Sequence, residues 1–149
     1  MAEKEKIKTT KTRTEERKEV VIDAKGAVLG RMASFAAKQA LRGNNVSVVN
    51  AEQAVITGKQ HIVLDDFLKK VRLGHTAQKG PLFSKMPISI CSRTIRGMIG
   101  WKNPRGKVIF KNIKCYLGVP RMYESSEKIT FKPARGITLA KLSALAGQR

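Results

Sequence analysis

Apolar positions along this chain change their spacing several times, and each change marks an element. Val20-Val21-Ile22 is a short β-branched run closed by Asp23-Ala24-Lys25-Gly26, which predicts a buried strand. Leu29, Met32, Ala33, Ala36, Ala37 and Ala40 then recur at three- and four-residue steps. Arg31, Ser34, Lys38 and Arg42 take the opposite side, so an amphipathic helix is expected, stopped by Gly43. Val46-Ser47-Val48-Val49 returns to an extended run. Strand, helix, strand predicts a parallel βαβ unit, because the helix supplies the crossover that parallel strands need. Ala54-Val55-Ile56-Thr57 is a third extended piece, ended by Gly58. Ala51-Glu52-Gln53 is too short a crossover to bring it in parallel, so this piece must bend away or turn locally.

Further along, Leu64, Phe67, Leu68 and Val71 line one face of a second helix. Asp65 with Lys69 and Asp66 with Lys70 stand four apart and predict ion pairs, which argues against those lysines as free anion ligands. Residues 74–90 hold two glycines and two prolines without a sustained period, and read as a long exposed loop. Helical signals return at 92–100, with Ile95, Met98 and Ile99 as the stripe, and at 103–112, opened by Asn103-Pro104. Lys114-Cys115-Tyr116-Leu117 reads as a strand, Gly118 and Pro120 break the chain, and Thr138 caps a last helix carrying Leu139, Leu142 and Leu145. Residues 1–18 mix lysine, glutamate and threonine around Ile7 and bury too little to order themselves. A flexible charged tail is expected there, followed by one domain over 19–149.

Charge sharpens this picture. From Phe67 to Tyr123 the chain runs 57 residues without an aspartate or glutamate while carrying 13 lysines and arginines, out of a net +19. The remainder is close to balanced. Charge of one sign at that density repels itself, so the native state calls for a partner of opposite sign. Nucleic acid is the first candidate, because counterion release rewards each added cation. A merely solvated basic face would ordinarily mix in acids. With aromatics at 5%, stacking platforms for single strands are scarce, which favours the backbone and shape of folded, largely double-helical RNA.

Within the acid-free block, Arg93, Arg96, Gly97 and Gly100 fall at i, i+3, i+4 and i+7 of a helix, opposite the apolar stripe. Such a bare strip flanked by guanidinium groups would let a phosphate backbone approach closely. The same glycines could instead serve close helix packing. Lys107, Lys111 and Lys114 extend the basic surface at helical spacing, and Lys102 and Arg105 flank the start of their helix. Arg72, Lys79, Lys85 and Arg121 complete the candidate RNA-binding set. Trp101 either stacks on a base or anchors the junction between two helices. Gly97-x-x-Gly100 also matches the KH-domain loop, but nothing around it fits that domain.

Other chemistries find little support. Gly26-x-x-x-Gly30 is neither a dinucleotide fingerprint nor a P-loop, and Asp23 reads as a turn or cap residue. His61 and His75 have no placed carboxylate, and Cys91 and Cys115 lack metal-ligand spacing. No catalysis, cofactor, metal or small-molecule substrate is expected. The two cysteines suit a reducing compartment, and no stretch approaches a membrane span or a secretory core, so a cytoplasmic protein without a membrane partner is expected. Two further classes stay open: a stand-alone binder of messenger RNA that silences translation, and a nucleotide-binding enzyme.

Asp23-Ala24-Lys25-Gly26 with Leu29-Gly30-Arg31-Met32-Ala33, Val48-Val49-Asn50-Ala51-Glu52 with Ile56-Thr57-Gly58, and Arg96-Gly97-Met98-Ile99 resemble the universal large-subunit ribosomal protein L-thirteen family. Gly80-Pro81 and Pro87, then Gly106-Lys107 and Lys114-Cys115-Tyr116-Leu117-Gly118, fit its later segments in order, from about residue 20 to 120. The resemblance implies a three-layer α/β/α fold around a small four-stranded parallel sheet, with a basic loop-and-helix extension. It also implies a structural role in holding large-subunit ribosomal RNA during and after assembly, beside neighbouring ribosomal proteins. Gly100 stands where many members carry proline, and Trp101 where histidine or lysine is common. The short connection from Gly43 to Val46 and the end at Arg149 point to the archaeal form.

Overall fold

A computed structural model of the chain describes residues 18–73 and 82–147. The tail expected over 1–18 lies outside these residues except for Lys18, as does the loop stretch 74–81 with Lys79. The elements run β1 (Glu19–Asp23), α1 (Leu29–Leu41), β2 (Asn45–Val49), β3 (Val55–Ile56), α2 (Gln60–Arg72), α3 (Pro87–Ile99), α4 (Pro104–Phe110), β4 (Ile113–Cys115), β5 (Lys128–Ile129), β6 (Ile137–Thr138) and α5 (Leu139–Gly147).

The βαβ unit forms as its pattern predicts. β1 and β2 pair in parallel from Glu19↔Asn45 to Asp23↔Val49, with α1 as the crossover. β4 joins the outer side of β2 and β5 the outer side of β1, giving four parallel strands in the order β4-β2-β1-β5. Alternation along the strands then assigns the two faces. Ile22, Val46 and Val48 enter one core with Met32, Ala33, Ala36, Ala37 and Ala40 of α1 and Cys91, Ile95 and Ile99 of α3. The alanines keep α1 thin on its inner side, so α3 packs closely across it.

The other face buries Val21 and Val49 against Tyr123, with Tyr116 and Val119 partly buried beside them. Ser47 is the one buried polar side chain among the described residues. Its hydroxyl donates to Tyr123 Oη at 2.9 Å, and Tyr123 Oη donates to Glu19 Oε1 at 2.6 Å. The architecture is therefore α/β with a parallel sheet between two layers. One layer is helical; the other is the Tyr116–Tyr123 segment with its single 3-10 turn, Arg121–Tyr123.

β3 leaves the main sheet as expected, and it pairs antiparallel with β6, a two-residue strand that the sequence pattern did not reveal. Other local expectations change. Residues 87–90, expected in the loop, belong to the start of α3: Pro87 sits in its first turn, and Cys91 opens a buried Cys91, Ile95, Ile99 stripe. Met98, expected in that stripe, is exposed. Thr138 caps α5 as expected, accepting from the Lys141 backbone N–H at 3.3 Å.

Candidate nucleic-acid interface

Family-like motifs at the strand ends turn out to be structural fastenings. Asp23 Oδ1 accepts from the Lys25 backbone N–H and from Asn50 Nδ2, both at 2.9 Å, tying the ends of β1 and β2 together. This is the turn role expected of Asp23. Asn50 takes a left-handed backbone, φ 55°, which asparagine tolerates better than most residues. Both Glu52 carboxylate oxygens accept from the Gly118 N–H, at 3.1 and 3.2 Å. Both acids are thus already engaged within the fold.

The basic surface is built on the corner between α3 and α4. Gly100 ends α3 in the left-handed region at φ +69°, a conformation closed to proline. The Asn103 N–H then donates to the Gly100 carbonyl at 3.0 Å. Gly106, buried in α4, presses on this turn: a Cβ there would lie 2.5 Å from Gly100 O and 3.1 Å from Trp101 Cα. Close packing, one of the two readings of the glycines, is therefore carried by Gly106. Gly97 is exposed, with nothing within 4 Å of where its Cβ would be, and leaves the bare strip expected on α3.

Arg93 and Arg96 bound that strip differently. Arg93 donates to the Leu82 carbonyl at 3.0 Å and lies 4.0 Å over the Phe83 ring, so it fastens the segment leading into α3. Arg96 sits 5.3 Å from the Trp101 ring centroid, and Lys107 sits 5.7 Å from it. Lys102 and Arg105 are exposed on the corner itself, as is Lys111 at the end of α4. Lys85, half-buried, precedes α3, and Arg72 is exposed at the end of α2.

Lys114 does not continue the row of Lys107 and Lys111. Helical spacing breaks because α4 ends at Phe110, and Lys114 lies in β4 opposite Ser47. Parallel register puts it on the Ser47–Tyr123 face of the sheet. Arg121 lies in the 3-10 turn that covers that face. Lys114 and Arg121 thus belong to the opposite side of the sheet from α3, as one group apart from the cations of the α3–α4 corner.

Lys70 was undervalued by spacing. Among the described residues the one ion pair is Lys69–Asp66, at 4.0 Å between exposed side chains, and neither predicted i,i+4 pair forms. Lys70 instead lines a cavity of about 460 Å³ between α2, the 82–84 segment and α3, together with Arg93 and Arg96 over Phe67, Phe83 and Phe110. The signal that could have found it was the wholly cationic block itself. Cys91 and Cys115 meet with sulfurs 3.8 Å apart under α3. The hydrogen bond between them holds the Cys91 thiol above the usual range and the Cys115 thiol below it.

A model of the family described as Ribosomal protein L13 matches residues 17–122. The chain belongs to that family. A protein of Methanopyrus kandleri named large ribosomal subunit protein uL13 is 43% identical over 71% of this chain and 66% of its own length. Proteins of the same name from Methanocaldococcus jannaschii and Archaeoglobus fulgidus are 41% and 39% identical, each over 87% of this chain and over 98% and 88% of their own lengths. These relatives are archaeal. The matched span runs from the residue before Lys18 into the 3-10 turn, and so takes in both groups of cations.

Proposed function

We propose that this chain is a structural constituent of the large ribosomal subunit that holds large-subunit ribosomal RNA against the α3–α4 corner, without catalysis. One observation carries the reading. Arg96 adjoins the bare Gly97 on α3, Lys102, Arg105 and Lys107 follow on the corner and α4, and among the described residues no carboxylate comes within ion-pair distance of them. Like charges held together without counter-charge raise the energy of the isolated protein, and a polyphosphate removes that cost. The relatives' names supply the subunit; their neighbours there would include other ribosomal proteins.

Salt dependence of binding tests the reading. Arg96→Gln should weaken binding to large-subunit ribosomal RNA and lower the slope of log K against log salt by about one, leaving thermal melting unchanged. An unaltered slope would remove Arg96 from the interface. Sedimentation of a cell extract addresses assembly: the protein should travel with large subunits, whereas a large free pool would favour a stand-alone messenger-RNA binder.

A further inference from the structure

Trp101 is the one tryptophan of the chain, and its placement exceeds what the corner needs. The turn is already closed by backbone, through the Asn103–Gly100 hydrogen bond and the contact of Gly106 with Gly100 and Trp101 Cα. The indole meets Phe110 nearly edge-on at 6.3 Å and 71°. It remains 40% exposed. Arg96 and Lys107 stand 5.3 and 5.7 Å from its centroid, well off the 4.0 Å at which Arg93 covers Phe83. Both cations thus lie over the ring but farther out, and part of its surface remains open to a planar group.

An exposed aromatic ring with two cations near it, on a face without acids, matches one kind of ligand: a flat π-system that carries its own phosphates. We infer that Trp101 is a stacking platform for one unpaired nucleobase of the bound RNA, with Arg96 and Lys107 taking the phosphates on either side of it. The inference rests on the proposed RNA-binding function and adds a contact that distinguishes an unpaired nucleotide from a helical stretch. A paired base is covered by its neighbours and cannot offer its face to the indole. The ring thus gives a mainly backbone-reading surface one point of register.

The single indole reports its own occupancy. The full-length chain is titrated at low salt with large-subunit ribosomal RNA transcript and, separately, with a fully paired RNA duplex, following tryptophan emission and filter binding together. Expected are binding of both, at least two-fold quenching by the transcript, and unchanged emission with the duplex. Trp101→Ala should weaken transcript binding roughly ten-fold and duplex binding hardly at all. Binding of both RNAs without quenching overturns the stacking role and leaves the function standing. Equal quenching by duplex and transcript also overturns it, since no unpaired base is then required. Failure of the ribosomal transcript to bind removes the underlying function along with it. Because the wild-type emission needs no substitution, the test survives even if Trp101→Ala folds poorly.

Discussion

The β1–β2 region and the α3–α4 corner treat polar groups in opposite ways. Around β1 and β2, Asp23, Glu19, Ser47, Asn50 and Glu52 each find partners inside the protein, so the charges and dipoles there are answered by the fold. At the corner, Arg96 and Lys107 touch an aromatic ring, while Lys102 and Arg105 point to solvent. Polar groups that fasten strands work best buried and satisfied. Cations meant for an outside partner must stay hydrated and uncompensated until it arrives. On the proposed function, the difference separates residues that hold this chain together from residues that would hold RNA, and the two sets should respond differently to substitution.

Gly106→Ala gives the largest expected effect. Its Cβ would fall on the Gly100 carbonyl, and backbone cannot swing aside as a flexible side chain can. Overpacking of this kind costs about 1–3 kcal/mol. Every cation is retained, yet RNA affinity should fall together with the melting temperature. Loss of stability with full RNA affinity would mean that the corner's shape is irrelevant and charge alone suffices.

Tyr123→Phe should do the reverse. It deletes a hydroxyl that is bonded to both Ser47 and Glu19 and is only 5% exposed. Stability should drop by about 1–2 kcal/mol in chemical denaturation while RNA binding stays as it was. The pH profile adds a signature. Donation to the Glu19 carboxylate is the main reason the Tyr123 hydroxyl is pushed up to about 12, above the unfolded value near 10. The native state keeps a proton that the unfolded chain releases, so the stabilisation is whole below pH 10 and is lost as pH rises towards 12. Wild-type and Tyr123→Phe stabilities should therefore converge over that interval. Parallel curves would show that the hydroxyl's bonds do not control its ionisation.

How much of this could be seen in the sequence depended on the range of the forces involved. The βαβ unit was legible because α1 and its flanking strands declare themselves through local periodicity. β5 and β6, two residues each, are made strands only by distant partners, Val21 and Ile22 for one and Val55 and Ile56 for the other. The cationic block was plain from composition, but its division was not: Lys114 left the helical row because α4 stops at Phe110, a boundary set by the sheet that β4 must join. Lys70 was obscured by a pairing rule that an exposed surface scarcely enforces. Gly106 was invisible for a different reason, since only the folded turn brings Gly100 and Trp101 against it.

Gly97→Ala carries the smallest effect and the sharpest distinction. Gly97 lies inside α3 with open space where its Cβ would go, so alanine relieves the helix of glycine's disadvantage and should stabilise it by up to about 1 kcal/mol. If the strip only lies exposed, RNA affinity should be unchanged or should rise slightly with stability. If phosphates lie directly against it, the added methyl holds them off the helix, and the guanidinium of Arg96 reaches them less squarely. A roughly five-fold loss of affinity, about 1 kcal/mol, is then expected from a protein that melts higher than wild type. Opposite signs in the two measurements cannot come from unfolding, because a damaged fold lowers both. Equal affinity in both proteins would leave the surface cationic but would end the claim that glycine was needed there for contact.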